Sequence, residues 1–170
     1  DILRFEIWYR WPRPATYVYF LIVFLLAFLT VVSPSSRTFG SLGVVAANSP
    51  YIISYVTLTF SLVFTVITSA IMGVAIVRDF EHNTEAFLSS TALDKMDYLL
   101  GRFMGSLIVV CMIHAGVFLG MMFGFSVGHQ LPWDVAWKGK ELLPFSPWGY
   151  LQPYLLFTVF NSLTLGAFFF

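Results

Sequence analysis

The chain has 170 residues, of which 58% are hydrophobic and only 11% are charged, and its formal net charge at pH 7 is zero. A soluble globular domain has about 25% charged residues, so this composition excludes that class and predicts an integral membrane protein. The single cysteine excludes a disulfide framework.

The first segment, residues 1–13, mixes Trp, Tyr and Arg with large apolar side chains. This mixture suits the headgroup zone of a bilayer, and Pro12 and Pro14 mark the end of a helix. We therefore expect an interfacial helix here, with a short solvated tail as the alternative.

Apolar stretches long enough to approach or cross a bilayer, which takes about 20 residues, occupy most of the remaining chain. We expect membrane spans at 15–32, 51–77, 103–128 and 150–170, with a polar, Trp-containing extracytoplasmic loop at 129–147. The second stretch would measure about 40 Å as a straight helix, so it must tilt or protrude. The fourth reaches the last residue, Phe170, still apolar, and we expect the chain to be a fragment of a longer protein. The predicted fold is an all-α integral membrane protein with an interfacial elbow helix and four spans, the fourth truncated.

The second span carries hydroxyls at helical spacing, which would form one stripe: Thr57, Ser61, Thr65 and Thr68. One interpretation is the wall of a transport path. The other, which we favour, is ordinary helix packing with hydroxyls bonded to the preceding turn or to a neighbouring helix.

The third span repeats a small residue at every fourth position: Gly116, Gly120, Gly124 and Gly128. Glycines at this spacing allow two helix backbones to approach closely, so we predict tight packing against another span.

Cys111 and His114 lie three residues apart on the same span, hence on one face. Thiolate and imidazole suit a soft metal such as copper or zinc, but a core cysteine and a histidine bonded across helices are the commoner explanation.

Basic residues in the short loops predict the orientation. Six lie at the N-terminus and in the connector between spans two and three: Arg4, Arg10, Arg13, Arg78, Lys95 and Arg102. The other side has three: Arg37, Lys138 and Lys140. We therefore expect the N-terminus and the connector, residues 78–102, to be cytoplasmic.

The predicted spans contain no Asp, Glu, Lys or Arg, which argues against an ion-coupled pump in this part of the chain. No nucleophile elbow, P-loop or HExxH motif is present. Any energy for transport must then come from outside this part of the chain.

A short connector helix is expected from Asn83, a suitable N-cap, to Thr91. With Phe87 and Leu88 among polar residues, it would fit a groove of a soluble protein.

This connector resembles the cytoplasmic loop of ABC type-2 exporter permeases. The matching residues are Arg78, Glu81, Thr84, Glu85, Leu88, Ser90, Thr91, Tyr98, Gly101 and Arg102. The chain departs from the family pattern at His82–Asn83, where Gly is frequent, and at Ala92–Leu93, where the family has Pro and an apolar residue. Both departures affect turn geometry.

The resemblance implies a six-span permease of the cell's inner (plasma) membrane, with an elbow helix and a coupling helix. Two permease halves, identical or not, would associate with two cytoplasmic ATPase subunits. Those subunits would bind ATP and Mg, so this chain would hold no cofactor and no catalytic residue. Glu81, Thr84, Glu85 and Leu88 would contact the ATPase. Membrane lipid is the other expected partner, and nucleic acid is not one. The alternatives are a non-transporting anchor or scaffold for a cytoplasmic or fused enzyme domain and, less favoured, a membrane protein that handles a soft metal.

Overall fold

The computed structural model describes residues 2–33, 46, 48–81, 95–127, 130 and 142–168, and over these residues it is helical with no strand. The helices are α1 (Ile2–Arg10), α2 (Pro14–Val32), α3 (Pro50–Val63), α4 (Thr65–Glu81), α5 (Lys95–Val127), α6 (Pro147–Pro153) and α7 (Phe160–Ala167), with a π-helical segment, Tyr154–Val159, between the last two. The all-α prediction is confirmed.

Prolines separate the first two helices. The main chain turns between Arg10 and Pro14, and Pro14 is in the first turn of α2, where its fixed φ suits a helix and its missing N–H removes no internal hydrogen bond. The apolar sequence then continues α2 without interruption to Val32, close to the predicted span 15–32.

The stretch predicted as one long second span is bent. α3 and α4 meet at Phe64 with an angle of 46° between their axes. Close to the break, the carbonyl of Ser61 accepts hydrogen bonds from the Thr65 hydroxyl at 3.0 Å and from the Asn161 amide at 3.4 Å. Side chains that bond into the backbone ladder in this way bend helices, and this explains why the stretch predicted as one tilted or protruding span is divided at Phe64.

The central element is α5, whose 33 residues correspond to about 50 Å of helix. It begins at Lys95, inside the predicted connector, and it contacts every other helix of the described chain. Its buried face forms the apolar core together with α2 and α3, through residues such as Val23, Ala27, Ile53 and Met121.

The last helical run, from α6 to α7, is irregular in its middle. Pro153 ends α6, and the π-helical segment follows directly, closed by a hydrogen bond from the Phe160 N–H to the Leu155 carbonyl. Before this run, the Asn48 side chain pairs with the backbone of Leu143, donating at 2.8 Å and accepting at 2.7 Å. This pairing ties the beginning of α3 to the segment that leads into α6.

Two helices of the described chain are long and apolar enough to cross a membrane, Pro14–Val32 and Met96–Val127, and a third crossing results if α3 and α4 form one bent span. The outward face of α2 carries Leu21, Ile22, Leu25 and Leu29, all strongly exposed, as expected for side chains that face lipid. The chain is therefore a membrane-embedded protein. The fourth span stays a prediction, because the run at 147–167 is divided by the π-helical segment.

Candidate functional site

The residues predicted to dock an ATPase lie mostly outside the described residues. Glu81 is the last residue of α4, so the helix of the second span continues into the predicted connector. Thr84, Glu85 and Leu88, and the short helix predicted from Asn83, fall in the segment that the structure does not describe. The described part of the site is therefore what borders the connector, α4 on one side and α5 on the other.

A buried charged cluster lies where α5 begins. It consists of Glu6 and Arg10 from α1 and of Tyr98 and Arg102 from α5. Arg102 donates from Nη1 to Oε1 of Glu6 at 2.9 Å, and Nε of Arg10 lies 3.3 Å from Oε2 of the same carboxylate. Glu6 is only 1% exposed, Arg10 8% and Arg102 6%. Because water is excluded from these charges, their attraction is weakly screened. Loss of one charge would leave another buried without its partner, which is energetically costly.

Helical spacing and one glycine make the charged cluster possible. Glu6 and Arg10 are four residues apart, as are Tyr98 and Arg102, so each pair shares a helix face. Arg102 donates from Nε to the Tyr98 hydroxyl at 2.7 Å, which fixes the guanidinium. Gly105 allows the two helices to approach, because a Cβ at this position would lie 2.6 Å from Cβ of Glu6. Helix α1 is therefore fastened to α5 at the end of the predicted connector, which includes Tyr98 and Arg102.

The turn after α1 is fixed as well. The Thr16 hydroxyl of α2 donates to the Arg10 carbonyl at 3.1 Å. The Arg13 guanidinium lies 4.0 Å from the centre of the Tyr9 ring and donates to the Tyr9 hydroxyl. Cation–π contacts of this kind hold an arginine side chain in place while leaving other donors of the guanidinium available.

A second group of polar side chains, the amide–hydroxyl cluster, lies at the bend between α3 and α4. It consists of Ser61, Thr65, Asn161 and the carbonyl of Phe157. Asn161 donates to the Ser61 hydroxyl at 3.0 Å and to the Thr65 hydroxyl at 3.4 Å, and Ser61 donates to the Phe157 carbonyl at 2.7 Å. The bend is thus connected by hydrogen bonds to the π-helical segment and to α7.

The hydroxyl stripe predicted on the second span is divided between two kinds of contact. Ser61 and Thr65 belong to the amide–hydroxyl cluster. Thr57 is buried and donates to the Ile53 carbonyl of its own helix at 2.7 Å, and Thr68 is buried. These contacts are those of packed helices, and a role for the stripe in lining a transport path stays a prediction.

The glycines of the third span face α2. A Cβ at Gly116 would lie 2.8 Å from the Phe20 carbonyl oxygen, one at Gly120 would lie 2.5 Å from the Phe24 carbonyl oxygen, and one at Gly124 would lie 3.1 Å from Val31 side-chain carbons. The structure thus brings these three glycines together in one interface, while Gly128 falls outside the described residues. The close backbone approach leaves no room for larger side chains along this face.

Cys111 and His114 both lie on α5, and their hydrogen bonds go to different neighbours. Nδ1 of His114 is 2.9 Å from the Val110 carbonyl oxygen, and its ring meets Phe64 edge-on with centroids 5.6 Å apart. The Cys111 carbonyl accepts from the Tyr154 hydroxyl at 2.7 Å. Among the described residues, no three His, Cys, Asp or Glu side chains are grouped so that they could hold a metal ion. The soft-metal hypothesis is left with two residues of the same helix.

Sequence reasoning missed both clusters as units. Arg10 was interpreted only as a charge that marks the cytoplasmic side, Arg102 was interpreted as such a charge and as part of the connector motif, and Glu6 was given no role. The available signal was Glu6, an acidic residue four positions before an arginine in a segment rich in basic and aromatic residues. Comparison of the chain with models of known protein families, with curated proteins and with solved structures finds no significant match.

Proposed function

We propose that this chain is the permease subunit of an ATP-driven exporter of the ABC type-2 kind, in the inner (plasma) membrane with its N-terminus in the cytoplasm. Under this proposal the connector receives the movement of a cytoplasmic ATPase subunit that binds ATP and Mg. Glu81, Thr84, Glu85 and Leu88 would form the docking surface. A second permease half and two further spans would complete the transporter.

The observation that carries the proposal is the attachment of α1 to α5. In an exporter driven from the cytoplasm, a displacement of the connector must be transmitted to the spans. This requires rigid contacts between the connector and the neighbouring helices. The buried pair between Glu6 and Arg102 lies about two turns from the beginning of α5. A displacement of this end of α5 would therefore move α1 with it.

A second support is the absence of Asp, Glu, Lys and Arg from the apolar stretches predicted as spans, 15–32, 51–77 and 103–128. The buried Glu and Arg residues of the described chain belong to the charged cluster at the end of the helices. The described membrane interior therefore offers no carboxylate to couple transport to protons or sodium, which is consistent with an external source of energy. The connector motif supplies the remaining argument, since it resembles the family's coupling segment at Arg78, Glu81 and Thr84.

The test is reversal of charge in the connector. The test begins with the neighbouring coding sequence, where a soluble P-loop ATPase is expected and where its absence would favour the scaffold alternative. The chain would be produced together with that ATPase. Copurification and ATPase activity in membranes would then be measured for the Glu81→Lys/Glu85→Lys variant. We expect loss of both, because lysines on the docking surface would repel or fail to pair with the ATPase. The control is Asp134→Lys, a single charge reversal in the loop predicted to lie outside.

Three results would contradict parts of the proposal. Retention of both copurification and ATPase activity in the double variant would exclude docking through these residues. Equal losses in the Asp134→Lys control would show a general effect of charge. Copurification of a partner that has no ATPase activity would favour the scaffold alternative over the exporter.

A further inference from the structure

A cleft of about 460 Å³ opens between α2 and α4. Its floor is α5 at Ile113, one wall is α2 at Thr16 and Tyr19, and the other wall is α4 at Val66 and Ala70. The volume lies within the range of about 300–1,000 Å³ that is typical of sites for small molecules. Because α2 and α4 are separated here, the cleft is an opening in the side of the helix bundle.

The lining is apolar along the helices and basic at one end. Arg10 and Arg13 line the end at which α2 begins, whereas Tyr19 lies about 9 Å further along the α2 axis. On α4 the lining runs from Val66 to Val74, about 12 Å of helix. The cleft therefore has an apolar body and a positively charged end, as an amphipathic ligand requires.

The two arginines differ in what they can offer. Arg10 is buried and engaged with Glu6, so its charge is largely used within the protein. Arg13 is exposed and contacts the ring and hydroxyl of Tyr9, and no carboxylate of the described chain lies within ion-pair distance of it. A guanidinium has five N–H donors in a geometry that matches a phosphate.

The walls of the cleft are exposed, as expected for helix surfaces that face lipid. The lining residues Tyr19, Val66 and Val74 are strongly exposed. Tyr19 belongs to α2, which is long and apolar enough to cross a membrane, and Val66 and Val74 belong to α4, which is so only together with α3. An exposed apolar wall on such a helix is in contact with acyl chains, and the basic end lies where α2 would leave the hydrocarbon. Basic pockets between membrane helices are suited to anionic headgroups.

We propose that this cleft is a binding site for a single phospholipid with an anionic headgroup. The headgroup phosphate is bound by Arg13, and an acyl chain lies between α2 and α4 over Ile113. This site does not depend on the proposed exporter function, because it requires only that α2 and α4 lie in a membrane. It gives α1 and the turn after it a second attachment, to the bilayer itself.

The experiment measures lipid retained by the full chain. The protein is reconstituted into vesicles of equal parts phosphatidylglycerol and phosphatidylcholine and extracted in mild detergent, and bound lipids are counted by native mass spectrometry. We expect phosphatidylglycerol to be retained in preference to phosphatidylcholine. Arg13→Gln should lower its retention about fivefold, the contribution of one basic residue near an anionic surface. The matched control, Arg4→Gln, removes an exposed arginine of α1 outside the cleft and should have no effect.

A second pair of variants tests the apolar part. Ala70→Phe places a ring in the cleft and should reduce retention of both lipids. Ala167→Phe introduces the same ring at an exposed position of α7 outside the cleft and should leave retention unchanged. These alanines are exposed, so neither variant disturbs the core.

Several outcomes would overturn the proposal. Equal retention of the two lipids by the unchanged chain would exclude recognition of the headgroup charge. Equal losses for Arg13→Gln and Arg4→Gln would show that only the total charge matters. Undiminished retention in Ala70→Phe would place the lipid elsewhere. Dissociation of a dimer by Ala70→Phe, with lipid retention unchanged, would assign the cleft to a second copy of the chain.

Discussion

Replacing Glu6 with Gln tests whether the charged cluster fastens α1 to α5. The side chain keeps its size but loses the charge that Arg102 approaches to 2.9 Å and Arg10 to 3.3 Å. Because Glu6 is only 1% exposed, water replaces little of the lost interaction. Removing one partner of a buried ion pair costs about 3–5 kcal/mol, and we expect Glu6→Gln to lower the free energy of unfolding by an amount in this range.

The measurement is unfolding by titration with SDS in mixed micelles, with Arg4→Gln as the control on the exposed side of α1. The control should change the free energy of unfolding by less than about 0.5 kcal/mol. A double-mutant cycle with Arg102→Gln should give a coupling energy of about 1–3 kcal/mol, because the double variant leaves fewer unpaired charges than the sum of the single variants. Salt should change this coupling little. A loss for Glu6→Gln no larger than that of Arg4→Gln, or an additive cycle, would refute the reasoning.

Two further predictions concern packing and the amide–hydroxyl cluster. Gly120→Ala should destabilise the fold by about 1–3 kcal/mol, because its Cβ would lie 2.5 Å from the Phe24 carbonyl oxygen. The control is Gly149→Ala, which should be neutral or stabilising by about 0.5–1 kcal/mol, because nothing lies within 4 Å of its Cβ. Equal effects of the two variants in the SDS titration would contradict the close approach of α2 and α5. Asn161→Leu should cost about 1 kcal/mol by removing the donations to Ser61 and Thr65. Thr164→Val should cost less, because this exposed hydroxyl bonds only to Phe160 of its own helix; a larger loss for Thr164→Val would contradict a stabilising role of the cluster.

Helix α2 shows what the sequence could predict. The predicted span, 15–32, differs by one residue from the observed helix, Pro14–Val32. The reason is that the boundaries are set by local chemistry: a proline at the first turn, an unbroken apolar run, and a serine- and proline-containing segment after it. The close packing at the glycines of α5 could be predicted equally well, because small residues at every fourth position of a membrane helix typically mark a helix–helix contact.

The bend at Phe64 could not be predicted in the same way. A straight and a bent helix have the same periodicity, and the bend depends on Asn161, which is separated from Ser61 by 100 positions in the chain. The charged cluster has the same difficulty, because Glu6 and Arg102 are 96 positions apart. Single-sequence patterns report which face a residue occupies, but they do not report which distant helix covers that face.

The two clusters also differ in what they allow to move. Under the proposed function, a displacement of the connector enters α5 near the charged cluster and enters α4 about 24 Å from Thr65, where that helix begins. The ion pair and the contact at Gly105 make α1 and α5 one rigid unit, since separating them would expose buried charges. The bend at Phe64 is held mainly by hydrogen bonds among side chains, each of which can be exchanged for another at small cost. Movement of the connector should therefore leave the angle between α1 and α5 unchanged and alter the angle between α3 and α4. The change at this bend would then displace the π-helical segment through the Ser61–Phe157 hydrogen bond.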